Sequence, residues 1–282
     1  MIEVLAPGPL ATVQDAGRPG WTSLGVPRSG AFDLPALRAA NRLVGNDPDA
    51  PGVEVVLGGL ALRALRAVTV ALAGAVCPGA DFGVALTLPA GAVLRLGPPA
   101  RGLRSYLGVR GGVAVVPVLG SASTDTLSGL GPSPLAAGDR LEPGRAVAGA
   151  VSGAAVPPPA AGLIGPVLLD VRLGPREDWF ADPAALLRTT WRVRAESDRV
   201  GVRLDGPPLA RARAGELPSE PVLPGAIQVP GDGRPIVFGP DAPVTGGYPV
   251  IGVVTNLAAA AQLRPGDEAV FRAYDPSSGW RA

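Results

Sequence analysis

The side chains best suited to bind a ligand or to move a proton are concentrated between Thr12 and Asp33. Glycines at positions 17, 20, 25 and 30 interrupt this window and allow its backbone to turn several times, which aims polar groups at one place. Guanidinium groups bind carboxylates and phosphates through paired hydrogen bonds. The window therefore predicts a site whose catalytic groups are Asp15 and Arg18 and whose ligand-binding groups are Arg28 and Ser29.

A structural interpretation of the same window stays open. Asp15 and Arg18 are three residues apart, so they could form an ion pair that has no part in chemistry. Asp33 precedes an amphipathic run to about Val44, and an aspartate in that position typically caps a helix. The pattern favours capping for Asp33, and it favours a site for Asp15, Arg18 and Ser29.

A second group of candidate residues lies between Gly225 and Pro249. Glycine-rich turns alternate there with short apolar runs, and such turns bring backbone N–H groups close to a ligand. A plain hairpin does not need this clustering of polar side chains. We predict a ligand-binding role for Gln228, Gly231, Asp241, Thr245, Gly246, Gly247 and Tyr248.

Two further polar stretches allow a chemical and a structural interpretation. The adjacent carboxylates of Glu177 and Asp178 could serve acid–base chemistry or hold a metal ion, but the two aromatic residues that follow favour a solvated, anchored turn. The Asp198-Arg199 pair favours a turn between two strands. We assign no metal site to the chain.

Composition excludes several classes of enzyme. All 25 basic residues are arginine, because the chain of 282 residues contains no lysine and no histidine. It therefore has no Ser-His-Asp triad, no Schiff-base lysine and no Walker A motif, and it cannot carry covalently attached biotin. Acid–base chemistry must use Asp, Glu, Tyr, the single Cys77 or a partner's residues. Cys77 lies in an apolar run and is interpreted as a small core residue.

The balance of charge and hydropathy indicates a globular protein that binds neither nucleic acid nor membranes. The net charge is +1 and aromatic residues make up 4%, values that offer no electrostatic or stacking surface for such partners. Glycines and prolines interrupt the apolar stretch from Val68 to Leu96 before about 18 apolar residues accumulate. The single cysteine and a first segment unlike a signal peptide predict a cytoplasmic protein.

Short β-branched or alternating runs between glycines and prolines predict a mainly β fold of the sandwich or barrel type. Three short helices are also predicted: one after Asp33, one over Ala184–Arg188 capped by Asp182, and one over Leu257–Leu263 capped by Thr255 or Asn256. The eleven predicted strands are Val53–Leu57, Val68–Leu72, Val84–Leu88, Ala92–Leu96, Tyr106–Val109, Val167–Leu173, Trp191–Ala195, Gly201–Leu204, Ala226–Val229, Pro235–Phe238 and Val250–Val254.

A stretch rich in alanine, glycine and proline divides the chain. Residues 146–165 include three consecutive prolines and are predicted to be a linker with a stiff polyproline segment. They separate an N-terminal β-rich lobe, residues 1–145, from a C-terminal barrel lobe, residues 166–282. The sequences Leu135–Leu141 and Leu263–Ala269 resemble each other, which fits either two related lobes or the ordinary reuse of Gly-Asp turns.

Taken together, these stretches resemble the allophanate hydrolase subunit 2 or Kip-type family of biotin-dependent carboxyltransferase-like proteins. The resemblance implies two cyclophilin-like β-barrel lobes with a few short helices, and it implies a partner protein of the subunit 1 type. The matching stretches follow the family's order along the chain and are Thr12–Arg18, Gly25–Asp33, Asn41–Asn46, Gly174–Phe180, Ser197–Pro207, Gly225–Gly233, Thr245–Pro249 and Ala261–Asp267.

Because bacterial members of this family include 5-oxoprolinase subunits, the resemblance implies a subunit of an ATP-dependent hydrolase that converts 5-oxo-L-proline to L-glutamate and is inactive alone. Its partners would be a B-type 5-oxoprolinase protein and a third, A-type protein, with ATP and Mg²⁺ shared among them. Two alternatives stay open. One is a carboxyltransferase component of a biotin-dependent urea carboxylase-like system, and the other is a non-catalytic regulatory partner of a subunit 1-type, kinase-inhibitor-like protein.

Overall fold

The structure is a computed structural model that describes residues 1–157, 165–215 and 217–274. The chain divides into two compact units, Met1–Ser23 with Pro27–Gly162, and Leu24–Val26 with Leu163–Ala282. Most of the proposed polyproline segment, Pro158 and Pro159, lies outside the described residues. The predicted domain boundaries stay a prediction.

The described part of the predicted linker is bonded to the first unit. The backbone amides of Ala148 and Ser152 donate to the carbonyl oxygens of Gly45 and Leu43, at 3.0 and 2.9 Å. Gly45 permits this approach, because a Cβ there would lie 2.4 Å from a carbonyl oxygen of the linker backbone. Residues 146–157 therefore belong to the packing of the first unit.

The first unit is built from two antiparallel sheets. A five-stranded sheet has the order β2-β3-β8-β5-β6 and a four-stranded sheet has the order β7-β4-β1-β9. The strands are β1 (Ile2–Pro7), β2 (Leu10–Gln14), β3 (Gly52–Val56), β4 (Leu60–Ala64), β5 (Val68–Gly74), β6 (Ala85–Leu88), β7 (Val93–Arg95), β8 (Arg104–Val109) and β9 (Arg140–Leu141).

The second unit contains a closed seven-stranded barrel with the order β10-β17-β14-β15-β12-β11-β18, together with a two-stranded sheet, β13-β16. All barrel neighbours are antiparallel except β10 and β18, which run parallel. The strands are β10 (Val167–Leu173), β11 (Thr190–Val193), β12 (Gly201–Asp205), β13 (Glu220–Pro221), β14 (Ala226–Gln228), β15 (Ile236–Phe238), β16 (Thr245–Gly246), β17 (Val250–Val254) and β18 (Glu268–Ala273).

The five-stranded sheet of the first unit is covered on both faces, which explains why its central strands are buried nearly throughout. Val53, Val55 and Leu107 point into a core shared with the four-stranded sheet. On the opposite face, Tyr106 packs against the helix α1 (Leu34–Leu43). Neighbouring residues of β8 thus pack against opposite faces of the sheet.

The predicted helices are all present, but only one has the predicted cap. Asp33 caps α1, accepting a 3.0 Å hydrogen bond from the amide of Ala36. Asp182 does not cap α2 (Ala185–Arg188), because its carboxylate is paired with Arg188 instead. Asn256 precedes α3 (Leu257–Ala261) without a side-chain cap, since its amide group bonds to the backbone of β10. Single 3-10 turns occur at Thr22–Leu24 and Glu177–Trp179.

The predicted fold class is confirmed: the protein is mainly β and contains a closed barrel. Each of the eleven predicted strands overlaps a strand of the structure. The similar turn sequences that end near Leu141 and Ala269 do lead into strands, β9 and β18. Among the described residues, no helix is long and apolar enough to cross a bilayer.

Replacing Gly108 by alanine tests how closely α1 approaches the sheet. A Cβ at this position would lie 2.7 Å from the carbonyl oxygen of Ala40, so the helix would have to move away from β8. We expect the free energy of unfolding to fall by about 1–3 kcal/mol, the usual cost of overpacking, measured by urea denaturation. The matched control is Gly153→Ala, whose Cβ would meet nothing within 4 Å. Equal stability of the two variants would contradict this packing.

Candidate functional site

Asp15 follows β2 and lies in a cage of hydrogen-bond donors. Its Oδ1 accepts from the amide of Gly17 at 2.7 Å and from the hydroxyls of Ser121 and Ser123, both at 2.6 Å. Its Oδ2 accepts from the amide of Ala122 at 2.6 Å. Four donors match the number that a carboxylate can accept, and only 9% of the residue is exposed. The Asp15 carboxylate therefore connects its own turn to residues 121–123 of the same unit.

Arg18 is also buried, with 1% of its surface exposed. Its guanidinium donates to the carbonyl oxygens of Ser123 and Val118. The carboxylate that faces it, at 4.0 Å, belongs to Asp125. The interpretation of Asp15 and Arg18 as a mutual ion pair is therefore wrong. The catalytic role predicted for both residues stays a prediction, and their burial favours a contribution through positioning.

The backbone between Arg18 and Arg28 forms a loop whose ends meet. The amide of Arg18 donates to the carbonyl oxygen of Arg28 at 2.7 Å. Gly17 makes this closure possible, since its φ is +84° and a Cβ there would lie 2.6 Å from two carbonyl oxygens. Closure leaves the Arg28 side chain exposed, where it can meet a ligand.

Ser29 directly follows this loop. Its φ is +54°, a positive value that is unusual for a residue other than glycine. Its hydroxyl donates to the carbonyl oxygen of Thr124 at 3.0 Å. Ser29 is 4% exposed, so its side chain fixes the backbone more than it offers a surface to a ligand.

A buried polar network that we did not predict holds the end of the Thr12–Asp33 window. Glu54 accepts from the amide of Phe32 at 3.0 Å and from the hydroxyl of Tyr106 at 2.7 Å. The same hydroxyl accepts from the amide of Asp33 at 2.7 Å. Burial, followed by the nearby Glu54 and Asp33 charges, raises the pKa of Tyr106 well above its ordinary value, so the phenol keeps its proton.

Arg104 completes this network. Its guanidinium lies 3.4 Å from a Glu54 oxygen and 4.4 Å from the centre of the Phe32 ring. The signal in the sequence was Glu54 inside the otherwise apolar strand β3, where a charged residue is rare unless it is paired.

In the second unit, the structure brings together several of the predicted ligand-binding residues. Gln228, at the end of β14, is 6% exposed and donates to the carbonyl oxygen of Tyr248 at 3.2 Å. Gly246 lies directly against it, since a Cβ there would be 2.3 Å from the Gln228 amide nitrogen. Thr245 and Tyr248 have exposed side chains on either side of the Gly246-Gly247 pair.

Two predicted residues do not join this group in the same way. Gly231 lies in an exposed turn where an added Cβ would meet nothing within 4 Å, so the backbone there does not require glycine. Asp241 is fully buried and binds Arg199 through two hydrogen bonds, at 2.8 and 2.9 Å. A ligand contact for Asp241 stays a prediction, while its geometry is that of a structural ion pair.

Two arginines that were absent from the predicted site lie beside the glycine pair. Arg176 is paired with Glu220 on β13, and β13 is the strand that bonds to Thr245 and Gly246. The hydrogen bond from Arg176 lowers the pKa of Glu220. Arg211 donates to the carbonyl oxygen of Val229 at 3.1 Å and lies 6.0 Å from the Tyr248 ring centre.

The carboxylates after Arg176 behave as the structural interpretation expected. Asp178 forms an exposed ion pair with Arg213, whose guanidinium lies 6.0 Å from the Trp179 ring centre. In the part of the chain that the structure describes, no group of three or more His, Cys, Asp or Glu side chains is arranged to hold a metal ion.

The Arg199–Asp241 pair makes a direct prediction about stability. Asp241→Ala leaves a buried guanidinium without its counter-charge, so we expect a loss of about 3–5 kcal/mol in the free energy of unfolding. Asp205→Ala is the matched control, because Asp205 pairs with Arg234 at the surface and such pairs contribute about 0–1 kcal/mol. Chemical denaturation of both variants measures the difference. An Asp241→Ala protein as stable as the control would show that the pair is not structural.

The sequence is similar to known proteins over nearly its whole length. Residues 24–273 match the family model described as carboxyltransferase domain, subdomain A and B. The chain is 39% identical over 265 residues to the C-type 5-oxoprolinase subunit of Escherichia coli, covering 90% of this chain and 84% of that protein. It is 33% identical over 291 residues to the C-type 5-oxoprolinase subunit of Haemophilus influenzae, covering 97% and 91%.

A solved structure, the urea amidolyase of K. lactis, matches with a TM-score of 0.91 at 30% sequence identity. The match covers 97% of this chain but only 19% of that much longer chain. The family model spans most of the chain, and the two curated relatives exceed 30% identity over nearly all of it. The chain therefore belongs to the family of carboxyltransferase domains, subdomains A and B.

Proposed function

We propose that this chain is a subunit of an ATP-dependent 5-oxoprolinase, which opens the lactam of 5-oxo-L-proline to give L-glutamate. The observation that carries the proposal is the 39% identity to the Escherichia coli 5-oxoprolinase subunit, extending over 90% of this chain and 84% of that one. The reaction consumes water at the lactam carbonyl and is driven by ATP hydrolysis. Its other components would be a B-type and an A-type 5-oxoprolinase protein.

The side chains of this protein fit a role in binding and orientation. Arg28, Thr245 and Tyr248 are exposed and can contact a ligand, while Asp15 and Arg18 are buried, which favours a role in fixing the backbone around them. The chain has no lysine, so phosphate groups of ATP would be met by guanidinium groups and backbone N–H groups. A magnesium ion would enter with the nucleotide, and we assign it no ligands in this chain.

A carboxyltransferase function is the second candidate, favoured by the match to urea amidolyase with a TM-score of 0.91. In that case, the chain would receive the carboxyl group from biotin carried by another protein or domain, since biotin attaches to lysine and this chain has none. A regulatory role, in which the chain binds a subunit 1-type protein without taking part in chemistry, is the third.

Co-expression with the A-type and B-type 5-oxoprolinase proteins separates the three candidates. We expect a stable complex that hydrolyses ATP only when 5-oxo-L-proline is present and that releases glutamate, with no turnover by this chain alone. Carboxylation of urea in the presence of a carboxybiotin carrier would support the second candidate instead. A complex whose 5-oxoproline-dependent ATP hydrolysis is unchanged when this chain is omitted would contradict the first candidate, and absence of urea carboxylation as well would leave the regulatory one.

The adjacent glycines at 246 and 247 offer a matched test of the site in the second unit. Gly246→Ala would place a Cβ 2.3 Å from the Gln228 amide, and this flexible side chain can move aside, so the fold should survive while Gln228 is displaced. Gly247→Ala meets only an ordinary contact at 3.6 Å. We expect turnover of the complex to fall by about tenfold or more for Gly246→Ala, corresponding to at least about 1.4 kcal/mol of barrier, and to stay near wild type for Gly247→Ala. Similar melting temperatures would show that folding is intact, and equal activities would refute a role for Gln228.

A further inference from the structure

Several first-unit residues of the Thr12–Asp33 window are bonded to a second stretch of that unit, residues 117–131, which we name the clamp loop. Besides its bonds to Asp15 and Arg18 described above, this loop accepts a hydrogen bond from the side-chain amide of Gln14, at the Thr124 carbonyl oxygen and at 2.9 Å. It also receives the indole N–H of Trp21 at the Leu119 carbonyl oxygen, at 3.1 Å. From this geometry we infer that Asp125 of the clamp loop is a positioning residue, which fixes Arg18 and through it the backbone of Arg28 and Ser29, two residues that we predict to belong to the site.

Asp125 is itself rigidly held. Its Oδ1 accepts from the amides of Leu127 and Ser128, both at 2.9 Å, and its own amide donates to the carbonyl oxygen of Leu130 at 2.8 Å. These bonds close a local turn and leave the second carboxylate oxygen, Oδ2, directed at Arg18. The turn therefore fixes the position of the Asp125 carboxylate independently of Arg18.

Asp125 and Arg18 interact through their opposite charges and not through a hydrogen bond. Oδ2 of Asp125 lies 4.0 Å from Nη1 of Arg18, and neither atom has a hydrogen-bond partner, although both side chains are 0% exposed. In the described residues, Asp125 is the only carboxylate within 4 Å of the Arg18 guanidinium. A buried guanidinium needs a counter-charge, because water cannot solvate it there. Asp125 supplies that charge from the clamp loop.

A short chain of contacts connects this pair to the exposed residues of the loop. The amide of Arg18 closes the loop on the carbonyl oxygen of Arg28, and the next residue, Ser29, is bonded to Thr124, which directly precedes Asp125. A shift of Arg18 would therefore move the backbone that carries the Arg28 side chain. Misplacement of a binding group by about 1 Å is enough to slow an enzyme by about 100-fold.

The test compares Asp125→Asn, which removes the charge and keeps the shape, with Asp49→Asn. Asp49 pairs with Arg38 at the surface of the same unit, which makes it a matched control. Amide hydrogen exchange of the isolated chain should accelerate about tenfold or more in residues 12–33 and 117–131 of Asp125→Asn, with the rest of the unit unchanged. Asp49→Asn should exchange like wild type. The double variant Arg18→Gln with Asp125→Asn, which lacks both charges, should recover part of the lost protection.

The catalytic readout rests on the proposed function and uses the complex of all three proteins. We expect kcat to fall by about tenfold or more in Asp125→Asn and to stay unchanged in Asp49→Asn. If the wild-type complex does not hydrolyse ATP with 5-oxoproline, the proposed function fails, and hydrogen exchange alone decides the inference about Asp125.

Three outcomes would overturn the inference. The first is unchanged exchange in residues 12–33 of Asp125→Asn. The second is faster exchange across the whole unit, which would mark a general loss of stability. The third is failure of both Asp125→Asn and the double variant to fold, which would refute a local positioning role. If only the double variant folds, the two charges are coupled and the inference is supported.

Discussion

The burial of guanidinium groups is the constraint on which the rest of this structure depends. In the described parts of the chain, three arginine side chains are at most 3% exposed, and each faces a carboxylate that is equally buried. Removing such a charge from water costs several kcal/mol unless a partner is held in place, so each pair ties two distant stretches of chain to each other. The pairs are Arg18 with Asp125, Arg104 with Glu54, and Arg199 with Asp241.

These pairs fix the backbone near the candidate residues of each unit, and the paired side chains are themselves buried. Arg18 is buried near the start of the Thr12–Asp33 window and the Arg104 guanidinium lies over the Phe32 ring near its end, so both parts of the window are fixed. In the second unit, Asp241 lies four residues before Thr245 and gives the glycine-rich turn a rigid start. The side chains left at the surface can then be placed accurately without being bound to one another, which suits recognition of a polar ligand.

Local patterns in the sequence were sufficient for much of the fold. Apolar runs between glycines and prolines identified eleven strands, and the Asp33 cap identified α1, because these features depend on neighbours within a few residues. Seven strands were not predicted. Three of them, β9, β13 and β16, are only two residues long, too short to show a pattern, and the other four are β1, β2, β4 and β18. The caps predicted at Asp182 and at Thr255 or Asn256 were wrong, because Asp182 pairs with Arg188 and the other two side chains bond to the backbone of β10.

The unusual backbone of the candidate residues was predictable from the sequence, but the partners of their side chains were not. The concentration of polar residues between glycines indicated where the chain needs an unusual conformation, and the structure shows one there, including the positive φ of Ser29. The partners of Asp15 and Arg18 lie about 100 residues further along the chain, and those of Asp241 lie 42 residues before it. No spacing rule connects such positions, so a side chain expected to meet a ligand could not be distinguished from one committed to the interior.

The choice of arginine for every buried cation has a consequence for how the protein responds to acid and base. A guanidinium group keeps its proton under all conditions in which proteins fold, and the sequence has no imidazole that titrates near neutrality. Each internal ion pair joins a guanidinium to a carboxylate, and neither group has an ordinary pKa near neutrality. The α-amino group of Met1 differs from these pairs, because burial lowers its pKa from the ordinary value and brings its change of charge nearer to neutrality.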